Sequence, residues 1–216
     1  MDSKTFAFID ASNLFYGGEK SLGWRLDYKK LLLYLREKYN VSTVYYFGGV
    51  DIHHFVFDYI QQESVSVEEI EKYLINHIAT TQEQLPPHKL LRLNLYLKRI
   101  QFYMKLKEFG YELFLKPVKS YIGTNGKTER KANCDVDMTL RMICEQSNFN
   151  HALFLSGDGD FLPVLKLLRK NNKEITILAR APRTAKEIKR FAGDKFRDFE
   201  YLRELLKYDE NTEPTP

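Results

Sequence analysis

The stretch ALFLSGDGDF at residues 152–161 decides how this chain folds. Its first four residues are apolar and indicate a buried strand, and Gly157 and Gly159 then let the backbone turn sharply. Asp158 and Asp160 therefore follow directly on the end of a strand. In an open parallel sheet, ligands bind in the crevice outside the carboxyl ends of the strands. The stretch thus predicts a parallel sheet with two carboxylates at its ligand-binding edge.

A second strand end supplies a third carboxylate. The apolar run Thr5–Ile9 stops at Asp10, which is followed by small and polar residues. We expect Asp10 to lie at the same edge as Asp158 and Asp160. Asp135 begins a predicted helix that extends to Gln146, and the pattern alone leaves its distance from that edge open.

The remaining elements alternate between strands and helices. Further strands are predicted at 42–47, 111–115 and 174–179, with helices beginning at Asp27 and near Phe161. This order predicts an α/β fold of three layers, a central mostly parallel sheet between helices. Residues 52–109 interrupt the order with two predicted helices, the first capped by Ser66 and Glu69. We interpret residues 1–207 as a single domain with this helical insertion, and residues 208–216 as a disordered tail.

Composition excludes several classes of protein. The 216 residues carry a net charge of +4, two cysteines and no CxxC pair, so neither a disulfide framework nor a zinc site is indicated. No apolar run approaches the roughly 20 residues that span a bilayer, and no signal peptide is evident. We expect a cytoplasmic protein without a membrane partner. The five histidines form no metal-binding motif.

Basic charge is concentrated in two regions. Lys119, Arg130 and Lys131 flank a predicted hairpin turn at 123–127, and Arg180, Arg183 and Lys186 follow the last predicted strand. Thr184 and Glu187 are predicted to cap the helix that carries part of the second group. Both groups are candidates for phosphate contacts, with a solvated surface as the alternative.

The four aspartates also have a structural interpretation. Asp10, Asp135 and Asp160 have the sequence context of helix caps, and Asp158 that of a turn residue. Their combination favours a metal site, because clustered carboxylates repel one another and a divalent cation removes that cost. A set of oxygen ligands without histidine or cysteine suits Mg²⁺ or Mn²⁺.

Three motifs in order resemble a known family. Residues 8–14 (FIDASNL), 131–137 (KANCDVD) and 155–161 (LSGDGDF) are similar to the NYN domain of the LabA-like group within the PIN-like nucleases. The resemblance implies a PIN-like fold, with Asp10, Asp135, Asp158 and Asp160 as catalytic metal ligands. It also implies that Asn13 supports the metal or the substrate, and we assign Ser156 to substrate binding with it. Lys131 stands four residues before Asp135, which is farther than in the family pattern. The helical insertion is also longer than the family pattern predicts.

The resemblance predicts a metal-dependent endoribonuclease that acts on single-stranded RNA. The alternative is a non-catalytic RNA-binding or regulatory module that keeps the acidic pocket, and the insertion is a candidate surface for a partner protein or a second copy. A dehydrogenase would need GxGxxG after the first strand, and a dehalogenase-like phosphatase a DxDx[TV] motif there. Asp10 is followed instead by Ala11-Ser12-Asn13.

Overall fold

A computed structural model describes residues 4–122 and 128–209, with only the backbone described for 17–19, 120–122 and 128–131. Contacts divide this part of the chain into two compact units. One comprises residues 4–47 and 134–209, and the other residues 48–122 and 128–133.

The elements follow one another in this order. The strands are β1 (Thr5–Asp10), β2 (Val41–Val50), β3 (Glu112–Pro117), β4 (Lys119–Ile122), β5 (Thr128–Lys131), β6 (His151–Leu155), β7 (Glu174–Ala179) and β8 (Phe196–Asp198). The helices are α1 (Ala11–Asn13), α2 (Lys20–Leu22), α3 (Tyr28–Tyr39), α4 (Val67–Thr81), α5 (Pro87–Phe109), α6 (Asp135–Cys144), α7 (Leu162–Lys170), α8 (Lys186–Ala192) and α9 (Arg203–Leu206). A π-helical turn covers Leu14–Glu19, and 3-10 turns cover Gly159–Phe161, Ala181–Arg183, Gly193–Lys195 and Phe199–Leu202.

The main sheet has the order β3-β2-β1-β6-β7-β8. The pairs β1 with β2, β1 with β6, β6 with β7 and β7 with β8 are parallel. Every residue of β1 is buried, as expected for a strand that has helices on both faces of its sheet. The predicted α/β class with a mostly parallel sheet is therefore confirmed.

Local signals in the sequence explain where the helices of the first unit begin. The side chain of Asp27 accepts a hydrogen bond from the backbone N–H of Lys30 at 3.0 Å and caps α3. Leu31, Leu32 and Leu35 form the buried stripe of that helix. Pro163 lies in the first turn of α7, where its missing N–H costs no hydrogen bond.

The second unit contains the predicted insertion. Its helices α4 and α5 pack against each other, and the hydroxyl of Ser66 accepts a hydrogen bond from the N–H of Glu69 at 3.3 Å, as the capping motif predicts. Gly110 ends α5 with a φ of 104°, which is favourable for glycine. Strands β4 and β5 pair antiparallel, and the predicted turn at 123–127 lies outside the described residues.

Two expectations about chain segments need correction. The glycine pair Gly48-Gly49 predicts the end of β2, but the strand continues to Val50. Gly49 instead allows the close approach of Ala132, whose Cβ would lie 2.6 Å from a Cβ at this position. The polar composition places Tyr208 in a disordered tail, yet its N–H donates to the carbonyl of Arg25 at 2.8 Å. Residues 210–216 lie outside the described part of the chain. Among the helices that are described, none is long and apolar enough to cross a membrane.

Candidate functional site

Two adjacent strands end side by side at the candidate site. Ile9 of β1 pairs with Leu155 of β6, so the residues that follow them, Asp10 and Ser156, leave the sheet at the same level. The hydroxyl of Ser156 donates a hydrogen bond to Oδ2 of Asp10 at 3.0 Å. Ser156 is fully buried and Asp10 is 8% exposed. The first motif, which contains Asp10, therefore lies next to the last motif, which contains Ser156.

The second oxygen of Asp10 organises the turn after β1. Oδ1 accepts hydrogen bonds from the N–H of Ser12 at 3.0 Å, the hydroxyl of Ser12 at 2.8 Å and the N–H of Asn13 at 3.1 Å. Asp10 is thus the N-cap of α1, the structural role considered for it from the sequence. Our sequence analysis missed Ser12, although an aspartate two residues before a serine is a common local turn signal.

The side chain of Asn13 connects the first motif to the last. Its Oδ1 accepts a hydrogen bond from the N–H of Gly157 at 3.0 Å, and the hydroxyl of Ser156 accepts one from the N–H of Asp158 at 3.2 Å. Together with the bond between Ser156 and Asp10, these contacts fix the SGD turn against the end of β1. The functional roles predicted for Asn13 and Ser156 stay predictions, while their place in this network is observed.

The glycines of the SGDGDF turn permit close packing against the segment after β7. A Cβ on Gly157 would lie 2.6 Å from Oγ1 and 2.9 Å from Cα of Thr184. The carbonyl of Gly157 also accepts a hydrogen bond from Ala185 at 2.9 Å. A Cβ on Gly159 would meet chiefly the flexible carboxylate of Glu187. Because Gly157 has no side chain, the turn can pack closely against Thr184.

Asp158 and Asp160 lie at the solvent side of this turn, the first half-buried and the second exposed. Oδ1 of Asp158 accepts a hydrogen bond from the N–H of Asp160 at 3.0 Å and caps the 3-10 turn Gly159–Phe161. The carboxylate of Asp160 is exposed and accepts no hydrogen bond from the residues that the structure describes. These two side chains offer oxygen atoms that are open to a ligand.

The structure contains Asp135 as the first residue of α6, directly after Cys134, and leaves it half-exposed. It is not a capping residue, since no side chain caps α6. Within residues 4–122 and 128–209, no three histidine, cysteine, aspartate or glutamate side chains are grouped to hold a metal ion. Metal coordination by Asp10, Asp135, Asp158 and Asp160 therefore stays a prediction.

The basic residues after β7 differ in their environment. Arg180 donates hydrogen bonds to Asp198 at 2.9 Å and to Glu200 at 2.5 Å, and only 14% of its side chain is exposed. Arg183 and Lys186 are exposed and make no ion pair in the described part of the chain. The charge of Arg180 is thus already neutralised, whereas the other two are available to an anion.

The predicted cap of α8 is wrong. The helix begins at Lys186 with Ala185 in the cap position and no side-chain cap. Thr184 donates its hydroxyl to the carbonyl of Arg180 at 2.8 Å instead. Packing of Thr184 against Gly157 explains the difference, since that contact fixes the residue ahead of the helix.

The other predicted basic group belongs to the second unit. The ammonium of Lys119 lies 4.3 Å from the ring centre of Tyr59, a cation–π contact. Lys119 pairs with Lys131, and Ser120 with Arg130, in the β4–β5 ladder. The side chains of Arg130 and Lys131 lie outside the described residues, so their predicted phosphate contacts stay predictions.

These observations define an α/β protein with an acidic motif at the carboxyl edge of a parallel sheet. The NYN domain model matches residues 4–200, and the chain therefore belongs to the NYN domain family. It is 23% identical over 214 residues to the low amplitude and bright protein LabA of Synechococcus elongatus, covering 98% of this chain and 92% of LabA. The resemblance inferred from the three motifs is confirmed.

Solved structures share the fold. A protein of unknown function from Vibrio parahaemolyticus RIMD 2210633, VPA0982, superimposes with a TM-score of 0.55 at 19% identity, over 91% of this chain and 90% of the other. This likeness shows the fold alone. The T5 D15 protein, crystallised with metal ions, has a TM-score of 0.43 at 14% identity, over 86% of this chain and 59% of the other. That likeness is too distant to say anything of function.

Proposed function

We propose that this protein is a metal-dependent endoribonuclease whose reaction takes place beside Asp10, Asp158 and Asp160. The observation that supports the proposal is the hydrogen bond between Ser156 and Asp10, which holds the SGDGDF turn at the end of β1. Membership of the NYN family and the carboxyl edge of a parallel sheet point the same way. Family resemblance implies 5′-phosphate and 3′-hydroxyl products.

The oxygen donors of this edge suit a hard divalent cation. Asp10, Asp135, Asp158 and Asp160 would hold Mg²⁺ or Mn²⁺, and the exposed carboxylate of Asp160 has no competing hydrogen bond among the described residues. Mg²⁺ is commonly bound by one or two carboxylates together with substrate phosphate and water. Such binding does not require three protein ligands to be grouped beforehand. When bound, the ion would lower the pKa of a coordinated water and stabilise charge on the leaving oxygen.

The residues of the chain would position the strand. Arg183 and Lys186, in the segment after β7, are exposed and lack ion-pair partners among the described residues. They can therefore contact phosphates of the strand. Asn13 and Ser156 would act as positioning residues, since their polar atoms hold Gly157 and Asp10. We leave Arg180 out of the phosphate contacts, because Asp198 and Glu200 already neutralise it.

A non-catalytic RNA-binding or regulatory module is the second candidate. One observation favours it: both oxygens of Asp10 accept hydrogen bonds from the protein, and no three-residue metal group is seen among the described residues. Such a module would bind RNA through the same basic residues and leave it intact.

Cleavage of labelled single-stranded RNA and DNA separates these candidates. Purified protein is incubated with each strand in Mg²⁺, in Mn²⁺ and in EDTA. The nuclease proposal expects cleavage of RNA that stops in EDTA and resumes when excess Mn²⁺ is restored. Binding without cleavage in any metal would support the module, and cleavage that survives chelation would overturn the metal mechanism.

A further inference from the structure

A cavity of about 790 Å³ lies in the first unit. Its walls come from the π-helical turn after Asn13, the segment that leads into α3, the first turn of α3, and α9 with the residues after it. Hydrogen bonds from Asp27 to the carbonyl of Leu206, and from Tyr208 to the carbonyl of Arg25, fix two of these walls against each other. The cavity therefore has a defined shape.

The lining combines cations with aromatic rings. Five basic residues line the cavity against two acidic ones, Glu204 and Asp209; the basic residues are Lys20, Arg25, Lys30, Arg203 and Lys207. No ion pair joins any of the five to a carboxylate among the residues that the structure describes. An excess of unneutralised positive charge in a concave site favours an anionic ligand.

Two of these cations lie near aromatic rings. Lys20 lies 5.5 Å from the ring centre of Phe15, and the guanidinium of Arg25 lies 4.8 Å from that of Tyr208. Trp24 also lines the cavity and is 7% exposed. Nucleic-acid bases stack on aromatic side chains and on arginine guanidinium planes alike. The guanidinium of Arg25, which lies over the ring of Tyr208, therefore offers a surface on which a base can stack.

We propose that this cavity binds a nucleoside phosphate, either as a free nucleotide or as one unit of a single-stranded nucleic acid. Arg203 and Lys207 would contact the phosphate, and the base would stack on the guanidinium of Arg25. Lys30 has a supporting role, because its ammonium donates to the carbonyl of Lys207 at 2.9 Å. The proposal goes beyond the nuclease assignment and does not depend on it.

Trp24 makes the cavity directly observable, since it is the single tryptophan of the chain. Its fluorescence is titrated with AMP, with a short adenine ribo-oligonucleotide and with inorganic phosphate. A saturable change with AMP and with the oligonucleotide identifies a free-nucleotide site, and a change with the oligonucleotide alone identifies a strand site. No saturable change with either overturns the proposal, as does an affinity for inorganic phosphate equal to that for AMP.

The double variant Arg203→Ala/Lys207→Ala tests the assignment of the phosphate contacts. Both side chains are exposed, and the variant should bind roughly a hundredfold more weakly, because each of the two charge-assisted hydrogen bonds to phosphate is worth about tenfold. Lys166→Ala/Lys170→Ala, two exposed cations of α7, should bind as wild type. Equal affinity of the cavity variant and wild type, with melting temperatures showing both folded, would refute the site.

The outcome is independent of cleavage. Asp158→Asn changes a residue outside the cavity and should leave the response of Trp24 to AMP or oligonucleotide unchanged. A protein that binds but does not cut would refute the nuclease proposal and leave the cavity assignment standing. A protein that cuts while Trp24 does not respond would do the reverse.

Discussion

Ser156 donates its hydroxyl to the carboxylate of Asp10 at 3.0 Å, and the two residues stand at the ends of neighbouring parallel strands. The same hydroxyl accepts the N–H of Asp158 at 3.2 Å. The hydroxyl of the fully buried Ser156 thus connects Asp10, at the end of β1, with the turn that carries Asp158 and Asp160. The geometry of the candidate site depends on this atom.

Ser156→Ala should therefore destabilise the protein. The substitution leaves an oxygen of Asp10 and the N–H of Asp158 without this partner, which costs about 1–3 kcal/mol of unfolding free energy. Urea unfolding measures the loss. Ser42→Ala is the matched control, because Ser42 is exposed and donates only to the carbonyl of Thr5 at 3.2 Å. Equal losses of unfolding free energy in the two variants would show that the hydrogen bond to Asp10 stabilises the protein no more than the exposed bond of Ser42.

Gly157→Ala and Gly159→Ala should differ although they lie in the same turn. A Cβ on Gly157 would come within 2.9 Å of the backbone of Thr184, so the segment must shift at a cost of about 1–3 kcal/mol. At Gly159 the closest atom is the end of the Glu187 side chain, which can rotate away. Thermal unfolding of both variants checks the order. A larger loss of stability at Gly159 would contradict the packing described for this turn.

Several features of the fold follow from local sequence. β7 matches its predicted bounds, residues 174–179, because a buried β-branched run carries its own signal. The start of α4 matches because Ser66 and Glu69 form a capping motif. β2 extends beyond its predicted end at residue 47, because the glycine pair at 48–49 is typical of a turn and therefore predicts the end of the strand too early. A Cβ on Gly49 would lie 2.6 Å from that of Ala132, so this glycine lets the segment that contains Ala132 approach β2 closely.

The features that sequence analysis missed depend on distant parts of the chain. β8 has only three residues and is recognisable through its pairing with β7, in which Ala179 aligns with Asp198. That register brings Asp198 to Arg180, and no local pattern predicts an ion pair over such a separation. The link from Asn13 to Gly157 likewise spans 144 positions. The strand ends could be predicted, but the partners of their side chains could not.

The stability of the fold should fall with acid through His151. Burial lowers the pKa of this histidine below its ordinary value of 6.5, with Lys195 lowering and Glu174 raising it. The unfolded chain then binds protons more readily than the native one, so stability is present above pH 6.5 and is lost as pH falls through the lower native pKa. His151→Gln should reduce the change in melting temperature between about pH 7.5 and about pH 5.5. An undiminished change would assign the effect to other groups, such as His53, whose pKa burial also lowers.

Arg183→Ala/Lys186→Ala should weaken RNA binding, because the variant can no longer neutralise the phosphates that these two cations face. For a single strand, each phosphate that is no longer neutralised should reduce the slope of log affinity against log salt by about 0.7. Fluorescence anisotropy of a labelled RNA at several salt concentrations measures both quantities. The control is Lys166→Ala/Lys170→Ala on α7, which should leave the slope unchanged. If the two double variants behave alike, the face after β7 does not bind RNA.

The substitution Asp158→Asn tests whether the acidic edge carries out metal-dependent cleavage. An asparagine oxygen can still accept the hydrogen bond from Asp160 and cap the turn, so without metal the melting temperature should equal or exceed that of wild type. Asp194→Asn, at another exposed aspartate, is the control. We expect Asp158→Asn to abolish RNA cleavage in millimolar Mn²⁺ and to reduce the stabilisation by Mn²⁺, while the control keeps both. Cleavage and a response to Mn²⁺ equal to those of wild type would remove Asp158 from the metal site and refute the nuclease proposal.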